Sequence, residues 1–89
     1  MFYKIISTEH LSDDIISMWI EAPEIAKKAG AGQFISIYSD SKSELLPRPI
    51  SICDTDGENA LRIVFRIVGK GTKEFAEKKA GDVLRIIGP

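Results

Sequence analysis

Residues 45–53, LPRPISICD, place an arginine between two prolines at the start of an apolar strand pattern. Pro47 and Pro49 each fix their own φ and restrict the residue before them, which predicts an extended backbone around Arg48. A guanidinium group offers several donors in one plane and suits phosphate or carboxylate. A backbone that is already ordered also loses less entropy when the anion binds. Ser51 adds a short hydroxyl on the same strand, so this segment predicts an anion site.

A second candidate anion site is the segment VGKGTKEF, residues 68–75. Gly69 and Gly71 stand before a predicted helix for which Thr72 is the expected N-cap. The N–H groups of a first helical turn, together with the helix dipole, favour an anion. Arg66 lies just upstream and is expected to face away from the apolar row of its strand. We therefore predict that the two segments converge on one diphosphate.

Each of these motifs also has a purely structural interpretation. The prolines around Arg48 fit a rigid loop with a solvated arginine, and the glycines at 69 and 71 fit an ordinary turn and helix cap. Arg66 alone fits a strand residue that faces solvent. Only the combination of the three favours a binding site.

The other residues with reactive or aromatic side chains are assigned structural roles. Cys53 is expected to be a small residue packed on its strand, because the sequence offers it no companion base. His10 lies in a polar turn and is expected at the surface. Trp19 and Phe34 are expected in the core, since the aromatic residues are scattered and not interleaved with basic ones.

The chain shows strand patterns separated by turn residues at short intervals, which is typical of a sandwich or barrel. We predict one helical turn that starts at Pro23 and a second short helix that starts at Thr72 and stops at Gly81. The predicted fold is all-β, a six-stranded antiparallel Greek-key barrel with one or two short helices. The six predicted strands are 2–7, 15–21, 33–38, a fourth that starts at 49, 61–68 and 83–87.

Composition restricts the class of protein. The 89 residues suffice for one domain, and 12 Lys and Arg against 13 Asp and Glu leave a net charge of -1. This balance provides no broad basic field for nucleic acid or an anionic membrane. The single cysteine excludes an internal disulfide, and no leader or membrane span is recognised, so a cytoplasmic protein is expected. An apolar strand pattern followed at once by Gly-Pro predicts that residues 1–89 are one domain of a longer protein.

Several of these motifs together resemble the FAD-binding domain of the ferredoxin reductase-like flavoproteins. Within that family the chain is most similar to the electron-transfer subunits of NAD-linked bacterial dihydroorotate dehydrogenases. The wider family often has tyrosine before the serine of its RxYS motif, whereas this chain has Ile50, as in the dihydroorotate branch. The matching motifs are GQF at 32–34, RPIS at 48–51, VFR at 64–66, GKGT at 69–72 and GP at 88–89.

The resemblance implies a FAD site and a role for each motif. Arg48 is expected to pair with a FAD phosphate, and residues Pro49, Ile50 and Ser51 to meet the flavin ring. The other expected contacts are Val64, Phe65 and Arg66 along the flavin and ribityl chain, and Gly71 and Thr72 at the diphosphate.

The resemblance also implies an oxidoreductase complex of pyrimidine biosynthesis. An FMN-containing catalytic subunit oxidises dihydroorotate, and electrons pass through a 2Fe-2S cluster and FAD to NAD in an expected heterotetramer. The nicotinamide-binding domain and the cysteines for the cluster are absent from these 89 residues. Alternatives are the FAD domain of a related ferredoxin or NAD(P)H reductase, hydrogenase or sulfide dehydrogenase, and a small non-enzymatic barrel that binds a ligand or protein.

Overall fold

The structure, a computed structural model, describes residues 2–30, 32–38 and 48–88. This part of the chain forms six strands and two short helices. The elements are β1 (Phe2–His10), β2 (Ile15–Glu21), α1 (Pro23–Lys28), β3 (Phe34–Tyr38), β4 (Arg48–Thr55), β5 (Ala60–Arg66), α2 (Gly69–Ala76) and β6 (Val83–Ile87).

The strands close into a barrel in the order β1-β2-β5-β4-β3-β6, and every neighbouring pair is antiparallel. β2 pairs with β5, which is not its successor in the chain, and β6 closes the barrel between β1 and β3. Closure removes the unpaired edges that a small open sheet would present. The predicted six-stranded antiparallel barrel is thus confirmed.

Strand alternation supplies the core. Along β5, Leu61, Ile63 and Phe65 are buried while Arg62 and Val64 are only partly so. The same period of two holds in β4, where Ile50 and Ile52 point inward. The interior is therefore filled mainly by isoleucine, whose branched side chains suit a pleated surface.

The helix α2 is fastened to the barrel by an aromatic pair. Phe75 is 1% exposed, and its ring meets that of Phe65 edge to face, with centroids 6.4 Å apart. Such a pair adds about 0.5–1.5 kcal/mol to the stabilisation from the buried area. Phe75 thus holds the helix beside the end of β5.

Three expectations about individual side chains were wrong. Trp19 and Phe34 point outward rather than into the core, and Phe34 is 62% exposed. Cys53 is exposed as well, on the outer face of β4. All three occupy the strand positions that alternate with the buried isoleucines. Their environment was therefore decided by strand register and not by the hydrophobicity of their side chains.

Some predicted boundaries also differ from the structure. β1 continues to His10 because it pairs with β2 along that length, and β5 ends at Arg66, two residues early. The helix α2 begins at Gly69, so its N-cap is Val68 and not Thr72. It ends at Ala76, before Gly81, whose φ of +94° serves the turn into β6 instead.

The turn between β4 and β5 is organised by one carboxylate. Asp56 Oδ1 accepts hydrogen bonds from the backbone N–H groups of Glu58, Asn59 and Ala60 at 2.8–2.9 Å. Bonds from these amides, the one from Ala60 foremost, lower the pKa of Asp56 below its ordinary value. The charged form is therefore favoured in the folded protein.

We expect Asp56→Ala to lower the melting temperature and to remove part of the acid sensitivity of the protein. A lowered folded-state pKa contributes stability that is present above about pH 4 and is lost as the pH falls through the folded value. Thermal melts between pH 3 and pH 7 measure this, with Glu58→Ala as the control in the same turn. Equal melts for both variants would contradict the assignment.

Candidate functional site

A groove opens in the barrel wall where β4 and β5 separate. Their register runs from the Thr55–Leu61 pair to the Ile52–Ile63 pair and goes no further among the described residues. Beyond that point each strand is paired only on its other side, β4 with β3 and β5 with β2. Pro49 contributes to this separation because it has no N–H with which to extend the β4–β5 ladder.

The groove has a volume of about 350 Å³ and collects the predicted binding residues. Eight of the nine predicted residues line it, and the ninth, Gly71, lies in the first turn of the helix whose Thr72 forms part of the wall. The lining residues are Arg48, Pro49, Ile50, Ser51, Val64, Phe65, Arg66, Val68 and Thr72. The arginine motif and the glycine-led helix start therefore border a single groove.

Arg48 is positioned by the first residue pair of β4. It stands opposite Ile37 of β3, and Pro49 stands opposite Ser36, so the ladder on this side holds the backbone extended. The guanidinium is half-buried, and its Nε atom lies within the protein. The predicted restraint from Pro47 lies outside the described residues.

Arg66 brings a second guanidinium to the groove and is oriented by the β1–β2 turn. Its Nε lies 3.4 Å from Asp14 Oδ2, and both side chains are more than half exposed. The backbone of Asp14 supports the same contact, because its carbonyl accepts a hydrogen bond of 2.7 Å from Ile67 N–H. An exposed ion pair is worth about 0–1 kcal/mol, which leaves the guanidinium able to bind an anion.

The buried hydroxyl of Thr72 holds the turn that leads into α2. Its Oγ1 accepts from Val68 N–H at 2.6 Å and donates to the Val68 carbonyl oxygen at 2.7 Å. Gly69 makes the turn with φ of +78°, a conformation that glycine adopts without strain. The hydroxyl is thus engaged within its own turn, where it positions the first helical N–H groups and leaves any anion contact to the backbone.

Thr72→Val is expected to lower the free energy of unfolding by about 1–3 kcal/mol, because it leaves the Val68 N–H without its acceptor. Urea denaturation measures this loss. Thr72→Ser, which keeps the hydroxyl, is the matched control and should lie much closer to the wild type. If the valine variant were as stable as the serine variant, the hydroxyl would have no such role.

Two residues of the site were not predicted from the sequence. Val68 is 60% exposed and forms an apolar rim of the groove, and Asp14 orients Arg66. Both follow from tertiary structure, since Asp14 reaches Arg66 only through the register that pairs Ile15 with Arg66. Nothing in the local sequence marks either one.

The described residues contain no cluster of three or more side chains able to hold a metal ion. No helix in the described ranges is long and apolar enough to cross a membrane. Two further surface depressions of similar size lie elsewhere, one beside Trp19 and Arg62 and one beside Tyr3 and Glu24. Neither contains a residue that the sequence predicted for binding.

Known proteins that are similar in sequence to this chain are longer than it is. An uncharacterised protein from the adh 3′ region of Clostridium beijerinckii is 48% identical over 89 residues, which cover 98% of this chain and 29% of the relative. The "dihydroorotate dehydrogenase B (NAD(+)), electron transfer subunit homolog" of Thermotoga maritima is 36% identical over 88 residues, or 97% of this chain and 30% of the relative. The chain thus spans about a third of the length of these relatives. No family model matches it.

A solved structure has the same fold. It is the NADH-dependent reduced ferredoxin-NADP oxidoreductase studied for flavin-based electron bifurcation. The TM-score is 0.88 and the identity 31%, over 98% of this chain and 32% of the other. The similarity therefore covers the whole barrel and both helices.

Proposed function

Because the chain has the fold of the ferredoxin reductase-like FAD-binding domains and is homologous to dihydroorotate dehydrogenase B electron transfer subunits, we propose that it binds FAD in the groove between β4 and β5. We further propose that it serves an oxidoreductase that passes electrons from dihydroorotate oxidation to NAD. The observation that carries the proposal is the meeting of Arg48 and the start of α2 at one groove.

The chemistry of the groove fits a flavin dinucleotide. Ile50, Val64 and Val68 supply apolar surface of the kind that a flat ring system needs, while the guanidinium groups of Arg48 and Arg66 supply donors for phosphate. The first three N–H groups of an α-helix have no acceptor within the helix, so α2 adds backbone donors. No carboxylate occurs among the lining residues of the described part, and Asp14, whose Oδ2 lies 3.4 Å from Arg66 Nε, offsets only part of the positive charge beside the groove.

Each residue then has a definite task. Arg48 binds a phosphate, and Pro49, Ile50 and Ser51 form the surface against which the ring lies. Val64 and Phe65 flank the ring and its side chain, and Arg66 adds charge. Gly71 and Thr72 present the first turn of α2 to the diphosphate. FAD, when bound, supplies the redox chemistry, while the protein orients it and adjusts its electronic properties.

The remaining parts of the proposal concern the longer protein. Residues 1–89 are proposed as the FAD-binding domain of a cytoplasmic subunit whose further domains bind NAD and a 2Fe-2S cluster. The only cysteine among the 89 residues is Cys53, so the cluster ligands would belong to another part of that protein. The proposed partner is an FMN-containing dihydroorotate dehydrogenase catalytic subunit in a heterotetramer. The name of the Thermotoga maritima relative supports the coarser assignment to an electron transfer subunit that works with a dihydroorotate dehydrogenase.

The test is to purify the protein, add FAD and measure the flavin absorbance that remains after gel filtration, together with the quenching of flavin fluorescence. We expect one equivalent of retained flavin. A protein that stays colourless in excess FAD would overturn the proposal and would favour a non-enzymatic barrel.

Ser51→Ala should shift the reduction potential of the bound flavin without releasing it. Removing one hydroxyl donor near the ring changes the balance between its two redox states by about 1 kcal/mol, or on the order of 20 mV for two electrons. Because a donor favours the reduced form, the potential should fall. Spectroelectrochemical titration of the variant measures the change, with Ser36→Ala on β3 as the control. An unchanged potential would remove Ser51 from the redox role.

A second assignment within the same class is the FAD domain of a ferredoxin-NADP oxidoreductase. The TM-score of 0.88 with such an enzyme favours it. Electron transfer assays separate the two assignments. The dihydroorotate dehydrogenase assignment requires dihydroorotate and the catalytic subunit as the source of electrons, whereas the ferredoxin-NADP oxidoreductase assignment requires reduced ferredoxin.

A further inference from the structure

The groove between β4 and β5 has an open end and a closed end. The pair formed by Ile52 and Ile63, the last of the β4–β5 ladder, closes it. Arg48, at the start of β4, and the start of α2 lie at the open end. Ser51 and Val64 are the lining residues next to the closing pair. The proposed phosphate contacts therefore lie at the open end, and the surface proposed for the flavin ring extends toward the closed end.

Arg62 stands at the closed end of the groove. It is the next residue after Val64 on the outer face of β5, about 7 Å further along the strand. The register shift in β4 sets both Cys53 and Asp54 against Arg62. Its Nη1 lies 3.8 Å from Cys53 Sγ. The Arg62 side chain thus extends from β5 to β4 beyond the ring surface.

The Arg62 guanidinium is held in one orientation by Ser17 of β2. Arg62 Nε donates a hydrogen bond of 2.8 Å to Ser17 Oγ. Ser17 is only 5% exposed and stands opposite Val64 across the β2–β5 ladder, so its hydroxyl is fixed beside the wall of the groove. Among the described residues no acceptor is bonded to Nη2 of Arg62. The guanidinium is therefore oriented but keeps donors and charge for another group.

Three carboxylates neighbour Arg62 in the sheet, and none of them forms an ion pair with it within the described part of the chain. Glu9 lines the same surface depression, Glu21 is its diagonal neighbour on β2, and Asp54 stands opposite on β4. All three are exposed, whereas Arg62 is partly buried, so water and salt screen the carboxylates more strongly. Their charges oppose negative charge on a nearby ring, and Arg62 offsets them.

Reduction gives a flavin ring negative charge at this end of the groove. Two electrons and one proton convert the oxidised ring into an anion, and a second proton neutralises it. In the proposed function the electrons come from the oxidation of dihydroorotate. A nearby cation favours the anionic form. Arg48 is proposed to bind phosphate and Arg66 pairs with Asp14, so Arg62 is the guanidinium at the ring end.

We propose that Arg62, positioned by Ser17, stabilises the negative charge that the flavin ring gains on reduction and thereby raises its reduction potential. The inference rests on the proposed function and extends it to two residues that do not line the groove. Neither belongs to the motifs that resemble the flavoprotein family.

The test is spectroelectrochemical titration of the FAD-loaded protein at pH 8. Arg62→Gln should shift the redox equilibrium toward the oxidised form about three- to tenfold, a fall in potential of about 15–30 mV. Arg62→Lys keeps the charge and should stay closer to the wild type. Ser17→Ala removes the acceptor for Nε and should give an intermediate fall. Arg85→Gln, the same exchange on β6 away from the groove, is the matched control and should leave the potential unchanged.

The pH dependence separates a charge effect from a change in structure. The potential falls by about 60 mV per pH unit where two protons accompany two electrons, and by about 30 mV where one proton does. The pH at which the slope changes reports protonation of the reduced ring. Because a cation favours the anion, Arg62→Gln should move this change to higher pH. The potentials of variant and wild type should therefore converge at low pH, where the reduced ring is neutral in both.

Three results would overturn the inference: equal potentials for Arg62→Gln and Arg85→Gln, an equal fall for Arg62→Lys and Arg62→Gln, or a difference that is the same at every pH. FAD retention after gel filtration is measured on each protein. A wild type without FAD defeats the proposed function itself, whereas retained FAD with an unchanged potential defeats only the role of Arg62. If Arg62→Gln does not fold, the potential and pH profile of Ser17→Ala decide in the same way.

Discussion

Arg48→Ala is expected to raise the dissociation constant for FAD about 10- to 100-fold, because a hydrogen bond to a charged group contributes about 1.5–3 kcal/mol. Riboflavin, which has no phosphate, should bind the variant nearly as well as it binds the wild type. The loss of affinity for FMN, which has one phosphate, should lie between the losses for FAD and riboflavin. Fluorescence quenching titrations with the three ligands measure this series.

The ligand series separates recognition from damage to the fold. Arg48 is half-buried and has other interactions within the protein, so its removal affects stability to some extent. A general effect on the fold would weaken the binding of all three ligands alike. That result would contradict the proposal that Arg48 binds the diphosphate. Arg48→Lys keeps the charge without the planar donor set and should lose less affinity than the alanine variant. Arg85→Ala, an exposed arginine away from the groove, is the control and should bind FAD normally.

Phe75→Ala is expected to lower the free energy of unfolding by about 3–5 kcal/mol, the usual cost of removing a buried phenyl ring. This is a large part of the stability of a small domain, which is about 5–15 kcal/mol. Phe75 is 1% exposed and packs edge to face on Phe65, so the variant loses the contact that fastens α2 to the end of β5. Urea denaturation followed by circular dichroism gives the change.

The exposed Phe2 provides the matched control. It is 66% exposed, and Phe2→Ala should change the stability by less than about 0.5 kcal/mol. If Phe75→Ala does not fold, Phe75→Leu keeps most of the apolar volume and should still show a measurable loss. Saturating FAD should restore part of that loss, because a ligand that binds only the folded state stabilises it. Equal stability of the Phe75→Leu and Phe2→Ala variants would contradict the role of Phe75.

The sequence predicted the barrel and most of the residues that line the groove. Period-two alternation is a local property, so the inward direction of Ile63 and the outward direction of Ser51 could be read from neighbouring residues. The motif around Arg48 and the glycines before α2 are likewise short, contiguous signals. Together with the family resemblance, which implied the contacts at Pro49, Ile50, Val64 and Phe65, those signals predicted eight of the nine lining residues.

Strand register and closure, by contrast, were decided only in the tertiary structure. Trp19 and Phe34 resemble core residues until pairing assigns them to the outer face. Asp14 reaches Arg66 only because β2 and β5, which are far apart in the chain, are neighbours in the barrel. β6 closes the barrel between β1 and β3, although 44 residues of chain separate it from the end of β3. The physical reason is that alternation along one strand needs only adjacent residues, whereas pairing between strands depends on the packing of the whole core.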